Sequence, residues 1–393
     1  MEDFQTDVSS QWTVNNGPSD EVHDFFFDYS TMGIPLAPSS AAGPTRGMKL
    51  QANVFNGVFS GMSVSPNEKS FTGDYSVKFD WWANYIGPLA TGAAGSTTLS
   101  TFGIGTTGTA ANWPGAGTTD GTYFAITPDG ASSSDLRVYS VERNVSYQFP
   151  HNATILDNQT PPQPIDSHAT YLGASRNSNV EPYTTAFPGG KTAPGLQTTD
   201  PRYSDSQTGV TPAGAAGFMW NVMEIRKVGE LVRLFANGTE IMNVDMTHYV
   251  TPNAGSNILF GSSDTNAGTN LDDPNFPDLQ FTLIDNIKVE AASGVEDADF
   301  NNDNIVDGAD FLIWQRGFGQ PGDLADGNAN GDETVDAEDL AIFQSQFGTA
   351  ASAPAIAAVP EPTTWGLAAL AALVCVLMGL PRRRAALVRV KAN

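Results

Sequence analysis

Two stretches of the chain carry residue types and spacings that could hold a hard cation. DFNNDNIVDGAD starts at Asp299 and NANGDETVDAED starts at Asn328, and they align without gaps at a spacing of 29 residues. Loop positions one, three, five, nine and twelve are Asp299, Asn301, Asp303, Asp307 and Asp310 in the first copy. In the second they are Asn328, Asn330, Asp332, Asp336 and Asp339. Position seven offers a main-chain carbonyl, from Ile305 or Thr334, and position eight is Val306 or Val335, a pair that would let the loops lean on each other. Short carboxylates and amides this dense repel one another in an empty chain. Wrapped around one ion, they are the oxygen set that calcium takes. An acidic run alone usually reads as a solvated linker. The duplication, the shared register and apolar residues at fixed offsets point instead to two calcium sites. The second is expected to be weaker, because Asn328 replaces an Asp. Calcium should order residues 295–348, since binding and folding are coupled in such sites.

Each loop must be held by the element after it. Phe311, Leu312, Trp314 and Phe318 follow the first loop, and Leu340, Ile342, Phe343 and Phe347 the second, as two short apolar helices. The ligand spacing is that of the EF-hand. A duplicated loop and helix of this size, with Asp at position twelve, resembles a type I dockerin over residues 299–348. The resemblance implies calcium on the loop oxygens, helices that dock onto a cohesin module, and a setting in polysaccharide-degrading systems. There are departures. Position six, where the EF-hand has Gly, is Asn304 or Glu333. Positions ten and eleven are Gly308-Ala309 and Ala337-Glu338, without the hydroxyl pair of cellulosomal dockerins, which bears on cohesin binding rather than on calcium.

The charge distribution sets this segment apart. The chain has 393 residues and a formal net charge of -24. Residues 295–348 carry 13 acids and one base, Arg316, so half of the net charge sits in 54 residues. Phosphate binding needs clustered Lys and Arg, so a nucleic-acid partner is excluded. The single Cys375 allows no internal disulfide, which leaves metal or packing to staple a small module. MEDFQTDVSS has no basic or apolar leader region. Because the other end of the chain argues for export, the expectation is a start placed downstream of a leader, or a leader already removed.

Residues 1–293 read as many short strands between turns. YSVKFDWW (75–82) puts Tyr75, Val77, Phe79 and Trp81 on one face at period two. TYFAIT (122–127) and LRVYSVE (136–142) follow. Residues 221–245 hold three strands, turning at Lys227–Glu230 and at Asn237-Gly238, the latter a strong hairpin signal. NILFGSS (257–263) and LQFTLIDNIKVE (279–290) complete the set. The expectation is a mainly β fold, an antiparallel β-sandwich, with a polar loop insert at 150–217. The W-N-V-M-E-I…N-G meander and the I-D-N-I-K-V ending resemble concanavalin A-like (laminin G-like) jelly rolls. Trp81 and Trp82 adjoin, so one should pack inward and one outward, and Glu224 reads as an exposed acid on a sandwich face. Two segments could bind ligand: the insert, with Tyr171, Tyr183 and Tyr203 for stacking on sugars, and 262–278, with Asp264, Asp272, Asp273 and Asp278 for a further calcium.

After a linker at 349–362, residues 359–385 combine Pro360, Glu361 and Pro362 with an apolar run and then Arg382, Arg383 and Arg384. The run reads as a transmembrane helix over 363–381 with the arginines on the cytoplasmic side. The order resembles the PEP-CTERM sorting signal. It implies export, recognition by an exosortase, and a cell-envelope location with a membrane anchor before processing. Joined to a dockerin-like pair, it resembles planctomycete surface proteins.

No catalytic residues stand out. His23, His151, His168 and His248 are scattered, and no nucleophile elbow or paired-carboxylate strand motif is present. The leading expectation is a non-catalytic carbohydrate-binding or adhesion module. The alternatives are a secreted polysaccharide-degrading enzyme with carboxylates drawn from separate strands, or a structural matrix component.

Overall fold

The structure, a computed structural model, describes residues 2–16, 20–41, 43–52, 54, 60–88, 97–116, 119–141, 170–201, 207–246, 252–264, 276–292, 297–303, 305–331 and 334–348. The linker, the sorting motif and the expected transmembrane helix lie outside the described residues. So do His151, His168, His248, Tyr203, Asp272, Asp273, Asn304, Asp332, Glu333 and Cys375. Among the described residues no helix is long and apolar enough to cross a membrane.

Thirteen described strands run in chain order: β1 (Trp12–Asn16), β2 (Glu21–Asp28), β3 (Arg46–Ala52), β4 (Ser60–Pro66), β5 (Tyr75–Asn84), β6 (Thr98–Thr106), β7 (Thr122–Ile126), β8 (Leu136–Tyr139), β9 (Trp220–Val228), β10 (Leu231–Ala236), β11 (Thr239–Asp245), β12 (Asn257–Asp264) and β13 (Phe281–Ala291). They form a six-stranded sheet, β1-β4-β12-β6-β7-β8, and a seven-stranded sheet, β11-β10-β9-β5-β13-β3-β2. Neighbouring strands pair antiparallel, so the expected two-sheet sandwich is the architecture found.

The core follows from the period-two pattern. Val77, Phe79 and Trp81 of β5 and Met223 and Ile225 of β9 meet Met62 and Val64 of β4, Phe102 of β6 and Phe260 of β12. Phe102 and Phe260 are cross-strand partners, and Phe79 stands 5.1 and 5.0 Å from their ring centroids. Burying each such ring contributes about 1.5–3 kcal/mol. The Asn237-Gly238 turn forms as expected, with φ of 52° and 78°. Strand β13 carries a bulge: its pairing with β5 shifts between Asp285 and Lys288, and Asn286 takes a φ of 53°. The extra residue moves the inward positions from Ile284 to Ile287 and Val289, one step out of phase.

Both tryptophans of FDWW are buried, which corrects the expectation that one faces out. Trp81 is in the main core, while Trp82 joins Tyr29, Tyr85, Phe218, Phe281 and Leu283 on the opposite face of the seven-stranded sheet. The 29–41 segment and the single-turn helix Gly195–Thr199 accompany that cluster, while the single-turn helix Tyr183–Ala186 packs into the main core. The described part of the insert is therefore not a loose loop: Tyr171, Tyr183 and Phe187 belong to the main core.

The acidic segment forms a second small core. Helix α1 (Gly308–Gly317) and helix α2 (Ala337–Gln346) follow the two loops. Phe300, Val306, Trp314, Val335, Ile342 and Phe343 pack between them. The two valines do not pair main chain to main chain. Gly348 at the end of α2 donates to the Val306 carbonyl at 2.9 Å, and Gly319 at the end of α1 donates to the Val335 carbonyl at 2.8 Å. Each loop is thus pinned by the end of the other copy's helix.

Candidate functional sites

In both loops the expected ligands double as helix caps. Asp307 accepts from Ala309 N at 2.7 Å and Asp310 closes the box on Asp307 N at 2.9 Å. Asp336 and Asp339 repeat this, with Glu338 N and Asp336 N each donating at 2.7 Å. Helix formation therefore fixes positions nine and twelve. At the open end of the first loop, Asp303 N donates to Asp299 Oδ1 (3.0 Å) and Asn301 Oδ1 (2.8 Å), and Asn301 N donates to Asp310 Oδ1 (3.2 Å). These oxygens gather around shared main-chain donors. In the second loop, Ala329 N and Asn330 N both donate to Asp339 Oδ1, at 2.7 and 3.1 Å.

Asp299, Asn301, Asp303, Ile305, Asp307 and Asp310 thus lie along one turn of chain, as do Asn328, Asn330, Thr334, Asp336 and Asp339. Among the described residues, no three His, Cys, Asp or Glu side chains are placed to hold an ion by themselves. The loop complement also draws on asparagine and main-chain oxygens, and this all-oxygen set fits calcium. Among the described loop residues position four is left-handed, Asn302 (φ 56°) and Gly331 (φ 66°), and position six lies outside the described residues.

The two loops differ in surroundings. At position three Asn301 is exposed and Asn330 buried, while positions one and twelve, Asp299 and Asp310 or Asn328 and Asp339, are buried in both. Arg226 on β9 bonds Glu338 Oε2 at 2.9 Å and Glu224 Oε1 at 2.9 Å. Glu224 is therefore a buried, paired acid, which corrects its reading as an exposed one.

A second arrangement lies on the outer face of the six-stranded sheet. Where Met62, Val64, Phe102, Ile104 and Phe260 point inward, their neighbours Gly61, Ser63, Ser65, Thr101, Gly103, Gly261 and Ser263 point outward. This small-residue floor is flanked by Tyr123 and Tyr139, stacked at 4.8 Å with 12° between rings, and by Trp113. Trp113 lies so close over Gly61 that a Cβ there would fall 2.1 Å from the indole. Ser65 Oγ, Thr101 Oγ1, Ser263 Oγ and Trp113 Nε1 are buried and have no hydrogen-bond partner among the described residues. A buried polar group left unpaired costs about 1–3 kcal/mol. Burial, then neighbouring Tyr139, pushes the Tyr123 phenol well above its ordinary value.

A third cluster pairs two carboxylates. Asp80 and Asp285 are directly opposite on β5 and β13 and both fully buried. Asp80 accepts from Ser39 N, Ser39 Oγ and Asn286 Nδ2, and Asp285 from Asn286 N and Tyr29 Oη. Burial first, and then the charges of Asp80 and Asp3, push Asp285 up to about 7. The pair fastens the 29–41 segment to the sheet.

The residues expected to stack on sugar do not form a platform. Tyr171 and Tyr183 are buried, and Tyr183 Oη donates to the Ser175 carbonyl. Asp264 ends β12 and accepts from Thr97 Oγ1 at 2.6 Å, so it is strand rather than ligand loop, and Asp278 sits in a 3-10 turn apart from it. His23 is exposed beside Phe25. The sequence did carry a sign of the outer face, the alternation of Phe or Ile with Gly, Ser or Thr in STFGIGT and FGSSD.

No protein-family model matches the chain. No curated protein matches it in sequence. Solved structures similar to it include a protein of unknown function with a galectin-like fold from Bacillus subtilis, at 8% identity, covering 72% of this chain and 90% of that one with a TM-score of 0.36. The carbohydrate recognition domain of Emp47p is 7% identical, with coverages of 74% and 94% and a TM-score of 0.34. The exoplasmic/lumenal domain of VIP36 in its Ca2+/Man3GlcNAc-bound form is 7% identical, with coverages of 72% and 83% and a TM-score of 0.32. No conclusion about this chain's ligand follows from likenesses at these scores.

Proposed function

We propose that this chain is a non-catalytic carbohydrate-binding module, with the glycan seated on the outer face of the six-stranded sheet. The observation that carries it is the set of unpartnered buried polar atoms, Ser65 Oγ, Thr101 Oγ1, Ser263 Oγ and Trp113 Nε1, beside a stacked tyrosine pair. Sugars present both matching surfaces: hydroxyls for the orphan donors and acceptors, and an apolar ring face for Trp113 or the tyrosines. In the closed face the polar groups are unsatisfied. A hydroxyl-rich ligand that displaces the cover now burying this face, while Trp113, Tyr123 and Tyr139 stay to stack on it, recovers that cost.

In the same reading calcium orders the 297–348 segment. Asp299, Asn301, Asp303, Asp307, Asp310 and the Ile305 carbonyl would hold one ion, and Asn328, Asn330, Asp332, Asp336, Asp339 and the Thr334 carbonyl a second, weaker one. The ion supplies positive charge to loops that otherwise repel themselves. The C-terminal residues 359–385 support placement at the cell envelope through an exosortase-type enzyme.

The test is a glycan array with the full chain, with turnover assayed on the same polysaccharides. Saturable binding that Trp113→Ala weakens tenfold or more (about 1.4 kcal/mol) supports the reading. Binding unaffected by Trp113→Ala and by Thr101→Val removes this face as the site, and turnover replaces the module with an enzyme.

A further inference from the structure

The loop-helix segment meets the sandwich at a charged contact, Arg226 with Glu338, with Lys78 beside it. Arg226 lies on the outer face of β9, buried, with its guanidinium 4.8 Å from the Phe235 ring centroid. It donates to both carboxylate oxygens of Glu224, two residues back on the same face, at 2.9 and 3.1 Å. Its second terminal nitrogen also donates to Glu338 Oε2 at 2.9 Å, from the first turn of α2. One turn further along α2, Ile342 and Ser345 line a cleft of about 210 Å3 with Val222 and Phe235. On the loop side, Asn330 Nδ2 donates to the same Glu338 Oε2 at 3.3 Å.

The duplication supplies an internal comparison. The equivalents of Asn330 and Glu338 in the first copy are Asn301 and Ala309, both exposed. Only the second copy has the acid, and of the two residues at position three only Asn330 is buried, while positions one and twelve are buried in both copies. One side chain, Asn330, is thus a loop donor through its oxygen and a partner of the docking acid through its nitrogen.

We infer that the partner of the loop-helix segment is this chain's own sandwich, docked through Glu338 on Arg226, and that a divalent cation in the second loop tightens the docking by fixing Asn330. The docking rests on contacts in the structure, while the cation step rests on the calcium reading above. A cation on Asn330 Oδ1 restricts the amide, so its Nδ2 stays on Glu338. Glu338 is then held from both sides, and Arg226 is spared from facing Glu224 alone. By reciprocity, docking raises the affinity of the second loop for the ion.

The experiment uses the full chain with Cys375→Ser, Val222→Cys and Ser345→Cys, and reads crosslinking by a short bis-maleimide across the cleft. Calcium against chelator should change the yield by about fivefold or more, the usual scale of coupling between sites. Glu338→Arg should abolish the crosslink, Arg226→Glu added to it should restore the crosslink, and Ala309→Arg at the equivalent exposed position should leave it unchanged. Asn330→Asp keeps the oxygens for calcium but loses the amide donor. Calorimetry should show calcium still bound while the yield no longer responds. A crosslink that survives Glu338→Arg overturns the docking. A yield indifferent to bound calcium overturns the coupling alone. Absence of calcium binding removes the coupling together with the calcium reading, and Glu338→Arg then decides the docking.

Discussion

At the scale of residues, the informative side chains are polar ones buried without, or with unusual, partners. Thr101 and Ser263 face outward from strands whose inward residues are Phe and Ile, and neither hydroxyl is bonded among the described residues. Replacing an unsatisfied hydroxyl by a methyl of the same shape is neutral or stabilising. Thr101→Val and Ser263→Ala should therefore raise the melting temperature or leave it unchanged, by up to about 1 kcal/mol, while weakening glycan binding. A variant that loses stability and keeps binding would mean these hydroxyls have partners unconnected with ligand. Asp285 gives a pH prediction. Its pKa is raised from an ordinary 3.8 to about 7 in the fold, so the fold favours the neutral acid. That contribution is complete below pH 3.8 and is lost as pH rises through about 7. Thermal stability should fall between pH 3.8 and about 7 in the wild type, level off above that, and fall less in Asp285→Asn, measured by calorimetry. Equal slopes in the two proteins would exclude Asp285 as the titrating group.

At the scale of elements, legibility depended on whether a strand had one buried face or two. Strands β9 to β11 were visible because alternation and the Asn237-Gly238 turn agreed. Strand β6, buried on both faces, alternates Phe and Ile only with small Gly, Ser and Thr, which read as turn residues, and was missed, as were β1 to β4. Trp82 was misread for a related reason: a sheet's outer face looks like core when distant segments cover it, and no local pattern announces the cover. The loop spacing located the helices, yet it could not show that the ends of α1 and α2 cross to pin Val335 and Val306. That crossing predicts interdependence. Val335→Ala opens a small cavity and should cost about 1–3 kcal/mol. Because Val335 is held by Gly319 at the end of the first copy's helix, the loss should weaken calcium binding in both loops. Calorimetric titration resolves the two sites, and an effect confined to the second loop would show that the copies act separately.

At the scale of the molecule, charge and core size set up a contrast between the two parts. The sandwich buries aromatics from two large sheets. The 295–348 segment has about 50 residues, a core of a few side chains and 13 acids against one base. A core this small is marginal alone, and self-repulsion lowers it further. Calcium binds the folded loops and stabilises them by RT ln(1 + [L]/Kd), about 2.7 kcal/mol at a hundredfold excess over Kd. Heating should therefore give two transitions in chelator. The lower one belongs to the acidic segment and moves up with calcium, while the upper one stays nearly fixed. Sodium chloride at matched ionic strength separates the two causes, since screening relieves repulsion without filling a site. If salt alone reproduces the whole shift, the acidic segment is a charged spacer that screening compacts. If calcium moves the lower transition at concentrations where salt does nothing, the carboxylates and amides from Asp299 to Asp339 act as ligands. The Arg226–Glu338 contact then contributes to that gain, so Glu338→Arg should shrink the calcium-dependent rise of the lower transition and leave the upper one in place.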